Sequence, residues 1–265
     1  MTEQENRDLV IKRLEEFGLV SHDLLTPVYK YRTIEDAKQI LTTNKISFPN
    51  AEQLRECDKL ELHKSILDLD FSDEEIRKHL VYLGINQTVE YFREYMLSDS
   101  LEYFRTKVGI LSLGKTSTNS PLWERYAEKH KGVCLGFMLP QYQISQHLAF
   151  YVNYPPQPKK VKIIDENTGG ISSPAIYYWV CTKHVDFKPE EEVRIISENQ
   201  SGLAEFKKDM LVEIILGRDT SKIEYDLFSQ LVIDHGYSVK MNKIVVDDSF
   251  FGLQIVDAKT LYNFS

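Results

Sequence analysis

The chain is short of the residues that define several protein classes. Three cysteines in 265 residues, Cys57, Cys134 and Cys181, are too few and too widely spaced for a disulfide scaffold, and free thiols are the expectation. Twelve glycines and nine prolines exclude collagen-like and low-complexity chains. No apolar run reaches the length of a membrane span, so no membrane is expected as partner. The opening MTEQENRDLV has no basic stretch followed by an apolar core, so the expectation is no secretory signal and a cytoplasmic location. Lys plus Arg number 32 against 40 Asp plus Glu, a net charge of −8, which argues against a coat for nucleic acid but allows a local basic groove. The glycine-rich phosphate motifs are missing, as is Gly-x-Ser-x-Gly.

What remains is an ordinary apolar content of 42% cut into short segments. An amphipathic helix is expected over 3–20, with Gly18 as its stop. Pro27–Arg32 alternates like a strand. Thr33 caps a helix carrying Ile34, Ala37, Ile40 and Leu41, and Lys45–Phe48 makes a short strand. Residues 50–105 read as helical, with a capping box at Ser72–Glu75 and a stop at Gly84. Strands are expected at 107–113, 133–139, 148–154, 160–164, 191–196, 210–216, 238–246 and 250–257. Helices are expected from Ser120 to Gly132, over 174–184 and over 221–235. The strands are short and do not alternate regularly with helices, which predicts an α+β fold. The reading divides the chain into an N-terminal helical segment, 1–26, and one α+β domain, 27–265, with a helical insertion at about 50–105.

Several side chains could carry chemistry. Cys181-x-x-His184 has ligand spacing but no second pair, so no metal site is expected there. Cys134 sits on an apolar strand, where a thiol is inert. Glu190 and Glu192 lie two apart at the entry of a strand, on the same face as Arg194. They are either a solvated strand end or a carboxylate pair able to hold a sugar hydroxyl and offset charge on an anomeric carbon. Arg32 ends a strand and could grip a phosphate or carboxylate. Trp123, Tyr126 and His130 form a stripe that either packs in the core or stacks on a flat ring. Asp58 and Glu61 leave open a nuclease effector binding Mg²⁺.

Four stretches resemble a bacterial domain-of-unknown-function family, number 2971. They are Val28-Tyr-Lys-Tyr-Arg32, the block Leu122-Trp-x-x-Tyr126-Ala-x-x-His130-x-Gly132-Val-Cys-x-x-Phe137 preceded by Ser112, Phe187-x-x-Glu190-x-Glu192-Val-Arg194, and Ile214-Ile-Leu-Gly217. The family's Asn-Asp-Pro-Phe-Glu is reduced here to Cys57-Asp58-Lys-Leu-Glu61. A second pattern, Arg on the first core strand, Ser on a middle strand and Glu-x-Glu opening a late strand, is similar to ADP-ribosyltransferases. That resemblance implies a short-stranded, split two-sheet core and NAD as substrate. It implies Glu192 and Glu190 as catalytic residues, and Arg32, Tyr31, Ser112, Trp123, Tyr126 and His130 as NAD-binding candidates. A macromolecular acceptor, nucleic acid or protein, would take the ADP-ribose, in the setting of a toxin or antiphage effector with an antitoxin protein as partner. The alternative is a binding or regulatory module in which the same glutamates are structural ion pairs.

Overall fold

The computed structural model describes residues 11–12, 14–16, 18–22, 26–139, 148–166, 168–197, 201–247, 249 and 252–262. Of the helix expected over 3–20, residues 11–12 and 14–16 are helical and the chain turns at Gly18, with φ of 83°. Residues 1–10, 13 and 17 lie outside the described residues.

The fold is α+β. Nine strands form one sheet: β1 (Val20–Ser21), β2 (Val28–Arg32), β5 (Gly109–Gly114), β6 (Val133–Phe137), β7 (Leu148–Tyr151), β9 (Glu192–Ser197), β11 (Leu211–Leu216), β12 (Lys240–Asp247) and β13 (Gly252–Asp257). Their order is β1-β7-β9-β5-β2-β6-β11-β12-β13, antiparallel except for the β11–β12 pair. Two small sheets stand apart, β3 (Lys45–Phe48) with β10 (Gly202–Glu205), and β4 (Leu67–Asp68) with β8 (Val161–Lys162).

The large sheet comes apart at one seam. β2 pairs with β6 along five residues and β5 with β9 along six, but β2 and β5 meet only at Tyr29 and Gly114. Buried backbone groups at such a parting need other partners. Side chains supply them: Lys30 Nζ donates to the Ser112 carbonyl at 2.5 Å, and the Tyr31 hydroxyl donates to the Thr116 carbonyl at 2.6 Å.

Each face of the sheet has its own core. Ile110, Phe150 and Ile196 pack with Phe71, Ile76 and Phe92 of the helical insertion and with the helix Ser173–Val180. Leu14 and Leu19 belong to the same core, so the N-terminal segment docks on this body through them and through β1. On the other face, Leu111, Leu113, Val193 and Ile195 pack with Ala37 and Leu41 of Ile34–Thr43 and Phe228 of Lys222–Asp234. A third cluster joins Tyr29, Tyr31, Trp123, Cys134 and Ile215.

Local chemistry explains the helix ends. Thr33 accepts from the Asp36 amide, and Asn44 closes that helix in the left-handed region. Ser72 and Glu75 form the expected capping box, and Gly84 ends that helix. The helix at 120 departs from expectation. Its cap is Asn119 rather than Ser120, accepting from the Leu122 amide, and it stops at Tyr126 instead of running to Gly132. Glu128, Lys129 and His130 then take φ of 49°, 55° and 70°, which no right-handed helix allows. β10 and the terminal helix Ala258–Tyr262 were not expected from the sequence.

Gly132 sits under this turn, against β2. A Cβ there would overlap the Arg32 carbonyl and the backbone of Ala127. Gly132→Ala is expected to cost about 1–3 kcal/mol, seen as a lower Tm in thermal denaturation. An unchanged Tm would mean that the turn has room to give.

Candidate functional site

The parting between β2 and β5 opens into a cavity of about 610 Å³. Tyr31 and Arg32 line it from β2, Ser112 and Gly114 from β5, and Glu192 from β9. Lys30, Tyr126, Arg125, Lys183, Phe187, Glu190, Asp58 and Glu61 are also among its lining residues. Three neighbouring strands, β9, β5 and β2, therefore bring the Glu-x-Glu, the Ser and the Arg to one place.

Behind the acidic wall lies a buried charge network. Lys183 Nζ stands 2.9 Å from Glu61, 2.6 Å from Glu190 and 3.2 Å from Glu192. Arg194 is fully buried and donates to Glu61 at 2.7 Å, to Glu192 at 3.2 Å and to the Val180 carbonyl at 2.6 Å. Arg125, half exposed, reaches Glu190 at 2.6 Å. Three carboxylates thus face three cations. Charges taken out of water persist only when paired this closely.

The period-2 reading of the two glutamates is corrected: they converge, but not as neighbours on one strand. Glu190 closes a 3-10 helix, Val185–Glu190, and Glu191 turns the chain with φ of 45°, so the strand begins at Glu192. Both carboxylates converge on Lys183 through that turn. Burial alone would push the Glu192 carboxyl up, but Arg194 and Lys183 hold it down to about 2. It is a permanent anion at neutral pH. The Ser112 hydroxyl is buried and makes no hydrogen bond of ordinary geometry, yet it stands close enough to help hold Glu192 down.

Arg32 is mostly buried, and its guanidinium donates to the neighbouring Tyr31 carbonyl at 3.2 Å. Among the described residues no carboxylate lies within ion-pair distance of it. The Tyr126 hydroxyl lies 3.4 Å from Glu190, and burial, with Glu190 nearby, pushes its pKa up to about 12.

Trp123 and His130 do not line this cavity. Trp123 is fully buried, donates its indole N–H to the Ser117 carbonyl at 2.8 Å and stacks on His130 at 5.8 Å. They pack the core beneath Tyr31, whose ring meets Trp123 edge-on at 5.2 Å. Early termination of the helix separates them from Tyr126, which stays half exposed. Cys134 and Cys181 are buried thiols whose pKa burial raises, in the case of Cys181 to about 12. Among the described residues no group of three or more His, Cys, Asp or Glu is arranged to hold a metal ion, and Glu61 is committed to Arg194 and Lys183.

Residues 122–195 match a family model described as "Protein of unknown function (DUF2971)". Over this stretch the chain is similar to that family. No curated protein matches the chain. The matched stretch runs from the helix bearing Arg125 and Tyr126 to the Arg194 region, so it holds Glu190 and Glu192 of the acidic wall, while Lys30, Arg32, Glu61 and Ser112 lie before it.

Four members of the site carry little signal in the sequence. Lys183 is a lone lysine between a helix and a 3-10 turn, with no spacing that marks it. Arg125 is likewise unmarked, and Phe187 is marked only by the family resemblance; the Lys183 ammonium lies 4.5 Å from the Phe187 ring centre. Lys30 has a faint signal, a charge in the middle of a short strand whose other residues, apart from the terminal Arg32, are apolar or aromatic.

The depressed Glu192 pKa has a consequence for stability. The unfolded carboxyl titrates near its ordinary 4.5 and the folded one near about 2, so Glu192 stabilises the fold above the former and loses that contribution as pH falls toward the latter. Denaturant melts from neutral pH down to about pH 2 should show stability falling through this window. The fall should be shallower in Glu192→Gln, and equal slopes would contradict the ionised, paired state.

Proposed function

We propose that this protein binds NAD in the cavity and transfers its ADP-ribose to a macromolecular acceptor, a nucleic acid or a protein. The observation that carries the reading is the seam in the sheet. It brings into one cavity the Arg32 guanidinium, which among the described residues has no carboxylate within ion-pair distance, and the Glu192 carboxylate, held well below the usual carboxylate range by Arg194 and Lys183. The volume lies in the ~300–1,000 Å³ range usual for small-molecule sites.

In this reading the Arg32 fork takes the diphosphate. The Ser112 hydroxyl and Glu192 take the ribose next to nicotinamide. Tyr126 supplies a ring for nicotinamide to lie against, the role the buried Trp123 is too enclosed to play. Tyr31 shapes the cavity wall through its bond to Thr116. The bond between the ribose C1′ and the nicotinamide nitrogen breaks heterolytically, and nicotinamide leaves neutral with the electron pair. Positive charge then develops on the sugar, where an anion already in place is worth most. An acceptor O–H or N–H attacks C1′ and gives up one proton. The net reaction is NAD⁺ plus acceptor–H giving ADP-ribosyl–acceptor, nicotinamide and H⁺. Glu190, clamped by Arg125 and Lys183, orients this wall. Consumption of NAD on a macromolecule suits a toxin or antiphage effector, with an antitoxin protein to restrain it.

The test is purified protein with labelled NAD, with and without a bacterial lysate, scoring free nicotinamide and label in macromolecules. Glu192→Gln is nearly isosteric and is expected to lower nicotinamide release by about 10²–10³-fold. Release by that variant at the unaltered rate would remove the catalytic assignment. A protein that neither releases nicotinamide nor gains thermal stability with NAD is a binding module, with the glutamates as structural charges.

A further inference from the structure

The proposed reaction leaves one proton without a destination. The acceptor must lose it as its bond to C1′ forms. The glutamates are poorly suited to receive it. Each oxygen of Glu190 lies 2.6 Å from a cation, Arg125 on one side and Lys183 on the other, and Glu192 is held between Lys183 and Arg194. Every oxygen of the two carboxylates already accepts from a cationic group.

Lys30 is placed differently. It lies in the middle of β2, at the seam, and lines the cavity while only 7% exposed. Its Nζ donates to the Ser112 carbonyl at 2.5 Å, and among the described residues no carboxylate is within ion-pair distance. A neutral amine can keep one N–H on that carbonyl and leave its lone pair for the cavity. The charged groups around it are Arg32 on its own strand and, across the seam, Glu192 and Arg194 of β9. Burial first, then Arg32 and Arg194, favour the neutral amine, and Glu192 alone opposes them.

We propose that Lys30 is the general base of the transfer: its neutral amine takes the proton from the acceptor as the acceptor–C1′ bond forms, and releases it to water after the products leave. This rests on the NAD reading. It adds a residue outside the matched stretch to the chemistry.

Two measurements test it. The first needs no NAD. Reductive methylation with formaldehyde and cyanoborohydride, mapped by mass spectrometry between about pH 6 and pH 10, reads the state of each lysine amine. Lys30 is expected to become reactive at a lower pH than the surface lysines, and a pH dependence like theirs would overturn the proposal. The second compares transfer by Lys30→Met and Lys30→Arg, with NAD-induced thermal shift as the check on folding and binding. Both variants should keep the shift and lose about 10²–10⁴-fold in transfer, together with the acid limb of the pH profile. Lys30→Arg keeps a donor for Ser112, so its loss would not be structural. Transfer by either variant at the unaltered rate overturns the base assignment and leaves the NAD reading intact. An unaltered protein without NAD binding or turnover overturns both.

Discussion

The backbone of β2 and β5 meets at one residue pair, and the site follows from that. Beyond Tyr29 and Gly114 the two strands cannot satisfy each other, so Lys30 and Tyr31 reach across to the carbonyls of Ser112 and Thr116. The gap they span becomes a cavity floor made of strands rather than loops. Side chains on strands are held more tightly than side chains on loops. Gly114 allows the seam: a Cβ there would fall 2.6 Å from Leu122 and 3.1 Å from the Tyr31 ring.

The acidic wall is held by different means. Arg194 ties its own strand to Glu61 of the insertion and to the end of the helix Ser173–Val180. Lys183, from the loop that follows, joins Glu61 to Glu190 and Glu192. Removing one partner from such a network leaves a buried charge uncompensated, which is far more costly than losing a surface pair. The network fixes the glutamates in place and keeps Glu192 ionised, properties suited to electrostatic stabilisation and unsuited to proton transfer.

Much of this was legible in the sequence, unevenly. The alternation of Val28–Arg32 was visible because strand periodicity is a local signal, and the glutamates at 190 and 192 stood out as charge beside an apolar strand, although a turn and not strand periodicity brings them together. The aromatic stripe at 123–130 divides between its two readings, since three left-handed residues end the helix at Tyr126, leaving Trp123 and His130 in the core and Tyr126 half exposed at the cavity. Nothing in residues 128–130 announces that turn: none is glycine, and it is set by close packing of Gly132 against Arg32 and Gly217 against His130. Glu61 was visible only as a carboxylate near Asp58, because its partner Arg194 lies 133 residues away. Lys183 was invisible, because its importance is purely a matter of what converges on it.

The central claim is that the seam holds a dinucleotide between Arg32 and Glu192. The most direct measurement is a crystal structure with an NAD analogue whose nicotinamide-ribose ring oxygen is replaced by a methylene, so that it binds without being cleaved. The diphosphate is predicted at Arg32 and the nicotinamide ribose at Glu192 and Ser112, with Tyr126 against the nicotinamide ring. An analogue bound elsewhere on the chain, or an empty seam at saturating concentration, would contradict the account.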